Sequence, residues 1–203
     1  MDRKAVARET LKIMEQGYYE YEGKRIDIRS DMDASIRGSV LITPAQGAEL
    51  LEKYSQKSSS GIPDERVENL STVDAIRKLA REGKNSIGVL NFASAKNPGG
   101  GFINGAMAQE ESLAASGTLY RTLTAHEEYY RSNRAQTSMM YTDHAIYSPD
   151  VTFFRSGNFQ LVETPVKASV LTLPAVNMGQ VLLKGEDTAE AARVMRRRMA
   201  LAL

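Results

Sequence analysis

Hydrophobic and polar positions follow two periods along the chain and predict alternating helices and strands. Apolar residues at helical spacing predict amphipathic helices at residues 4–16, 45–54, 72–82 and 186–203. Short apolar runs predict strands at residues 39–43, 87–93, 145–147 and 168–173, and a loose alternation predicts a hairpin at 18–29. Because strands alternate with helices, the pattern favours an α/β sandwich around a largely parallel or mixed sheet.

The middle of the chain carries the most informative run of residues. Ile87–Ala93 predicts a buried central strand, and a loop at 94–108 leads into a helix predicted from Gln109 to Thr124. In open α/β sheets, ligands bind beyond the carboxyl ends of the strands. This loop is therefore the candidate site, with Phe102 expected to line the ligand and Phe92 to lie in the core. The polar residues 56–63 predict a second loop.

The candidate loop contains the consecutive glycines Gly99, Gly100 and Gly101. A backbone without β-carbons can adopt positive φ and bring its N–H groups against an anion. The predicted start of the following helix, at Gln109, adds a favourable dipole for phosphate. We therefore expect this segment to bind a phosphorylated ligand.

Glu110 and Glu111 follow directly at the predicted helix start. Adjacent helical residues point in different directions, so one carboxylate can bind sugar hydroxyls while the other transfers a proton. A partly buried glutamate beside a pyrophosphate should have a raised pKa, as a general acid requires. Alone, a glycine run is more often a flexible turn and an acidic pair more often complements the helix dipole. Together, between a strand and a helix, they favour an active site.

Composition excludes several other classes of function. The chain has 203 residues with 26 Lys and Arg against 25 Asp and Glu, so extensive DNA or RNA binding is not expected. It has no cysteine, and its two histidines, His126 and His144, are far apart, so no metal site is expected. The charged N-terminus and the absence of a long apolar run predict a cytoplasmic protein with no membrane contact.

The glycines and glutamates resemble the motif of the bacterial-type branch of the poly(ADP-ribose) glycohydrolases. That motif has three glycines, six to eight residues and then Gln-Glu-Glu; here seven residues, Phe102–Ala108, separate Gly101 from Gln109. Flanking segments are also similar to this branch, namely Ala7–Leu11, Thr72–Ala75, Leu90–Ala93, Tyr147–Val151 and Pro174–Asn177. The resemblance implies a macrodomain-like three-layer α/β/α sandwich with a mixed central sheet.

The resemblance also implies roles for individual residues. Glu111 would be the catalytic acid and base, and Glu110 would bind ribose hydroxyls beside the scissile bond. The three glycines would hold the pyrophosphate and the distal ribose, and no cofactor or metal is implied. The further substrate contacts expected from the motif and its flanks are Gln109, Asn97, Asn91 and Phe102. The expected partners are poly(ADP-ribose), ADP-ribose and ADP-ribosylated proteins.

Two departures from the family pattern leave alternatives open. The resemblance implies a further strand, a second glycine-rich loop and a terminal helix after Leu203, so we expect a C-terminally truncated domain or a second chain that supplies them. Ala115 stands near a position where the family has an arginine. The alternatives to a hydrolase are a non-catalytic ADP-ribose-binding macrodomain and an inactive fragment. We expect one domain, 1–203, with an accessory region at 1–70 and a core at 71–203.

Overall fold

The computed structural model describes residues 2–55 and 64–203, and the loop predicted at 56–63 lies outside them. The described helices are, in chain order, α1 (Arg3–Gln16), α2 (Arg29–Gly38), α3 (Pro44–Ser55), α4 (Thr72–Arg81), α5 (Gln109–Ser116), α6 (Leu119–Thr124), α7 (Glu127–Arg134), α8 (Met178–Leu183) and α9 (Thr188–Ala202). The strands are β1 (Tyr18–Tyr21), β2 (Lys24–Asp27), β3 (Val40–Ile42), β4 (Gly88–Ala93), β5 (Ala145–Arg155) and β6 (Leu161–Pro174).

The main sheet is mixed, as the sequence predicts. Its strands lie in the order β3-β5-β6-β4; β5 runs antiparallel to both β3 and β6, and β4 runs parallel to β6. Buried side chains of α4, α5, α6 and α7 pack on one face of this sheet and form the largest core cluster with side chains of β5 and β6. The expected α/β class with a mixed sheet is confirmed.

The N-terminal elements begin and end at residues with clear local reasons. Asp2 caps α1 by accepting hydrogen bonds from the Lys4 and Ala5 N–H groups, and Gly17 ends the helix in the left-handed conformation. The predicted hairpin follows as β1 and β2, which form a separate two-stranded sheet. Its turn places Glu22 and Gly23 at positive φ. The helix predicted at 4–16 and the hairpin predicted at 18–29 are both confirmed.

The helix α1 packs against the loop that contains the three glycines. Ala7 lies in a buried cluster with Phe102, Ala114, Ala115 and Phe159. The Thr10 hydroxyl donates a hydrogen bond of 2.7 Å to the Ala115 carbonyl, at the end of α5. The first helix therefore supports the candidate site from behind. The division into an accessory region 1–70 and a core 71–203 stays a prediction.

The prediction of a buried central strand at 87–93 is wrong for the described residues. There β4 lies at the edge of the main sheet and pairs only with β6. Asn91 points into the core face, whereas Phe92 points to the opposite face and is 64% exposed. The expected core position of Phe92 is therefore also wrong, because the apolar run carries no information about which side of the strand is covered.

The prediction of a single helix from Gln109 to Thr124 is also wrong, because the helix is interrupted between α5 and α6. Gly117 is extended there, with φ −163°, and pairs with Phe153 of β5 in an isolated bridge. A β-carbon at Gly117 would lie 2.5 Å from the Thr152 carbonyl oxygen. The close approach of β5, which is distant in sequence, interrupts the helix.

Substituting Gly117 by alanine should destabilise the fold by about 1–3 kcal/mol, because the added methyl group overlaps the β5 backbone. The measurement is the free energy of unfolding from urea titration. Gly88→Ala is the matched control, because a β-carbon there meets no atom within 4 Å. Equal stability of the two variants would show that the contact with β5 does not restrict residue 117.

Candidate active site

The candidate loop starts where β4 ends and is shaped by its first residue. The Ser94 hydroxyl accepts hydrogen bonds from the Lys96 N–H at 3.3 Å and the Asn97 N–H at 3.1 Å. Such a serine turn redirects the chain immediately after a strand. The three glycines follow, then a 3₁₀ turn at Phe102–Asn104, and α5 begins at Gln109. The loop thus returns both glutamates to the end of β4.

Glu110 is buried beneath this loop, with only 3% of its surface exposed. Its Oε2 accepts a hydrogen bond of 2.6 Å from the Ser94 N–H, and its Oε1 accepts one of 3.3 Å from the Asn91 amide. Burial raises the pKa of Glu110 to about 7, although the bonds from Ser94, Asn91 and Gly99 oppose the rise. Glu110 therefore exchanges its proton near neutral pH.

Glu111 points in another direction, as expected for adjacent helical residues. Its Oε1 accepts a hydrogen bond of 2.9 Å from the Gly101 N–H, and its Oε2 accepts one of 3.0 Å from the Ala108 N–H. The second bond reaches back over the start of α5 and caps it. Glu111 is half-buried and lines a small cavity with Phe102 and Arg3. Its carboxylate is held by backbone groups and stays accessible.

The three glycines hold the two carboxylates in place. Gly99 and Gly100 have φ of 65° and 59°, in the left-handed region. A β-carbon on Gly100 would lie 2.2 Å from Glu111 Oε1 and 3.3 Å from Glu110 Oε2. The Gly100 N–H donates a hydrogen bond to the Asn97 carbonyl, and the Gly101 N–H donates one to Glu111. The expected contact between this loop and a phosphate stays a prediction.

Gln109 bonds the backbone of β4, and its expected contact with the substrate stays a prediction. Its amide oxygen accepts a hydrogen bond of 2.9 Å from the Phe92 N–H, and its amide nitrogen donates one of 2.8 Å to the Leu90 carbonyl. Both backbone groups lie on the edge of β4 that faces away from β6. The side chain therefore takes the place of a neighbouring strand and fixes α5 to β4.

The other predicted contacts divide into accessible and buried residues. Asn97 is exposed on the loop, where a ligand can reach it. Asn91 is fully buried, and its side chain bonds Glu110. Phe102 is 2% exposed and packs edge-on against Tyr120, so it supports the loop from below. Phe102 lines the cavity beside Glu111. Direct contact of Asn91 or Phe102 with a ligand stays a prediction.

Sequence reasoning missed two residues of the site. Ser94 shapes the loop and donates its N–H to Glu110, and a serine directly after a strand is a recognisable turn signal. Thr172 of β6 bonds Asn91 from the neighbouring strand. Its signal is a hydroxyl within the apolar run Val170–Leu173, but only the strand pairing shows which residue it faces.

The histidines lie apart from this site. His126 Nε2 is 2.8 Å from the Ser39 hydroxyl, and His144 Nδ1 is 2.9 Å from the Thr142 hydroxyl. Within residues 2–55 and 64–203, no three His, Asp or Glu side chains are grouped as metal ligands. In the same ranges no helix is long and apolar enough to cross a bilayer.

A comparison with known protein families gave a match over most of the chain. The family model for the catalytic domain of microbial-type PARG, poly(ADP-ribose) glycohydrolase, matches residues 7–156. The chain belongs to this family. The match includes the glycine loop, both glutamates and the part of α1 from Ala7 onward. A comparison with curated proteins gave no match.

Solved structures of the PARG family are similar over most of the chain. The PARG of Thermomonospora curvata has a TM-score of 0.93 at 37% identity, covering 98% of this chain and 73% of its own. The same protein bound to the inhibitor ADP-HPD has a TM-score of 0.89 at 38% identity, covering 98% and 72%. The PARG of Deinococcus radiodurans in complex with ADP-ribose has a TM-score of 0.79 at 41% identity, covering 84% and 69%.

The buried Glu110 predicts a dependence of stability on pH in this family member. Its pKa of about 7 in the folded protein lies above the ordinary value of 4.5, so unfolding releases its proton at intermediate pH. The resulting stability is complete below pH 4.5 and is lost as pH rises through 7. Glu110→Gln cannot ionise, so its stability relative to wild type should rise between pH 5 and pH 8, by up to about 3 kcal/mol.

Urea titrations at the two pH values measure this difference. Glu20→Gln is the control, because Glu20 lies exposed on β1 and loses the same charge. A relative stability of Glu110→Gln that stays constant between pH 5 and pH 8 would contradict the raised pKa.

Proposed function

We propose that this chain is a poly(ADP-ribose) glycohydrolase that cleaves the ribose–ribose O-glycosidic bond and releases ADP-ribose from chain ends. The observation that carries the proposal is the pair of carboxylates of different burial on either side of Gly100. Hydrolysis of a glycosidic bond requires a group that gives and takes a proton beside an oxocarbenium-like sugar. Membership of the PARG family supports the same reaction.

Glu111 is assigned as the acid and base. In the first step, the bond between the anomeric carbon and the 2′-oxygen of the next unit breaks, and Glu111 gives its proton to that oxygen. In the second step, water adds to the anomeric carbon and returns a proton to Glu111. The Gly101 and Ala108 N–H groups hold the Glu111 carboxylate in one orientation for both steps. Phosphate oxygens of the substrate help to stabilise the cation between the steps.

Glu110 is assigned to the ribose hydroxyls beside the scissile bond. Its Oε2 bonds Ser94 and faces Gly100, so a sugar held against the loop lies next to it. A carboxyl group that ionises near pH 7 can donate a hydrogen bond when protonated and accept one when ionised. Asn97 and the outer surface of the glycine loop are assigned to the remaining ribose and to the pyrophosphate.

The assigned ligand is ADP-ribose, alone or at the end of a polymer. Structures of PARG-family relatives with ADP-ribose or ADP-HPD bound support this ligand class. ADP-ribosylated proteins are assigned as the carriers of the polymer. A second chain as a partner stays a prediction.

Replacing Glu111 by glutamine should lower the rate of ADP-ribose release from poly(ADP-ribose) by about 10²–10⁴-fold, because the side chain can no longer exchange a proton. Binding of ADP-ribose, measured by calorimetry, should change little, since the amide keeps the shape of the carboxylate. Chromatography of the released nucleotide gives the rate.

Glu110→Gln is the comparison variant, and it should weaken ADP-ribose binding more than Glu111→Gln does. Equal rates for wild type and Glu111→Gln would remove Glu111 from the chemistry. Binding of ADP-ribose without release by the wild-type chain would favour the non-catalytic alternative instead.

A further inference from the structure

We infer that Thr172, a buried residue of β6, is a positioning residue for Glu110 and acts through the side-chain amide of Asn91. Nothing in the glycine–glutamate motif includes Thr172, and it lies on a strand outside the loop. The inference rests on the proposed function, because it states how the ribose-binding carboxyl group is aimed.

The three side chains form a continuous buried chain of hydrogen bonds. Asn91 and Thr172 are directly paired across β4 and β6, on the face that packs against α5. The Asn91 amide nitrogen lies 3.2 Å from the Thr172 hydroxyl and 3.3 Å from Glu110 Oε1. Asn91 and Thr172 are both fully buried, so water cannot replace either bond without a change in packing.

The orientation of the Asn91 amide decides what Glu110 meets. Its nitrogen has two N–H donors, and here one serves Glu110 and the other serves Thr172. Its oxygen, Oδ1, is buried and has no hydrogen-bond partner. If the amide turned over, this oxygen would face the Glu110 carboxylate and repel it. In the observed arrangement the Thr172 hydroxyl and Glu110 Oε1 both accept from the amide nitrogen, and together they hold the donor side of Asn91 toward Glu110.

The other ionisable groups around Glu110 do not supply this function. Glu111 is the neighbouring charge on α5, and it raises the pKa of Glu110. Tyr129 and Tyr130 of α7 face Glu110 from the next helix, and their buried hydroxyls form no hydrogen bond. The Ser94 N–H bonds the other carboxyl oxygen, so Asn91 is the side-chain donor that fixes Oε1.

Removing the Thr172 hydroxyl should free the amide and deprive ionised Glu110 of a donor. Because the Asn91 bond lowers the pKa of Glu110, its loss moves that pKa further up. The carboxyl group would then be more fully protonated at neutral pH and less well aimed at the ribose. Binding of the sugar should suffer more than the proton transfer by Glu111.

The test compares Thr172→Val with two controls. Valine keeps the shape and the strand preference of threonine but has no hydroxyl. Thr172→Ser restores the hydroxyl, and it should restore the wild-type properties. Thr152→Val is the matched control, because Thr152 of β5 is equally buried and its hydroxyl has no hydrogen-bond partner.

For Thr172→Val we expect ADP-ribose affinity at pH 7 to fall about tenfold, the loss of one hydrogen bond to a charged group. The KM for poly(ADP-ribose) should rise by a similar factor with kcat within about twofold, and the acid limb of kcat/KM should move to higher pH. Thr172→Ser and Thr152→Val should both match wild type.

A readout without ligand separates this inference from the proposed function. The stability lost between pH 5 and pH 8 should be larger in Thr172→Val than in wild type, because the pKa of Glu110 is higher in the folded variant. If wild type neither binds ADP-ribose nor cleaves polymer, the proposed function fails, and this pH dependence still tests the positioning. Equal pH dependence of stability in Thr172→Val and Thr152→Val would overturn the inference.

Discussion

Burial of the Glu110 carboxyl group determines what the surrounding chain must supply. A carboxylate removed from water is strongly disfavoured unless hydrogen-bond donors replace its hydration. The donors are the Ser94 N–H after β4 and the Asn91 amide on β4. They oppose the effect of burial without cancelling it, so the pKa stays near 7. The loop, the strand end and the helix start are arranged around this one group.

The same arrangement explains why two adjacent glutamates have different environments. The backbone of α5 turns Glu110 toward β4 and Glu111 toward the glycine loop. The glycine at position 100 allows both carboxylates to approach the same stretch of backbone. The Gln109 amide then fixes this turn of α5 to the edge of β4, and Thr10 of α1 holds its other end. The candidate loop is thus supported from both the sheet and the first helix.

Local sequence signals predict the parts of the site that depend on neighbouring residues. The glycine run, the glutamate pair and their spacing predict the loop and the two side-chain directions, and the structure agrees. The surroundings of Asn91, Gln109, Phe92 and Phe102 depend on which strand or helix covers them, and the sequence does not show this; the core position expected for Phe92 is wrong for that reason. The same holds for Thr172 and Gly117, because the contacts of each depend on a strand far away in sequence. The hydrophobic pattern of a helix or strand shows which of its faces is apolar, but it does not show which element packs against that face.

The most direct test of this account is the titration of Glu110 itself. Carbon-13 NMR of carboxyl-labelled glutamate, assigned by comparison with Glu110→Gln, follows its protonation in the folded chain. We expect a midpoint near pH 7, well above the ordinary value of 4.5. A midpoint at or below 4.5 would show that Glu110 is ionised at neutral pH like an exposed glutamate. The division of roles between the two carboxylates would then lose its physical basis.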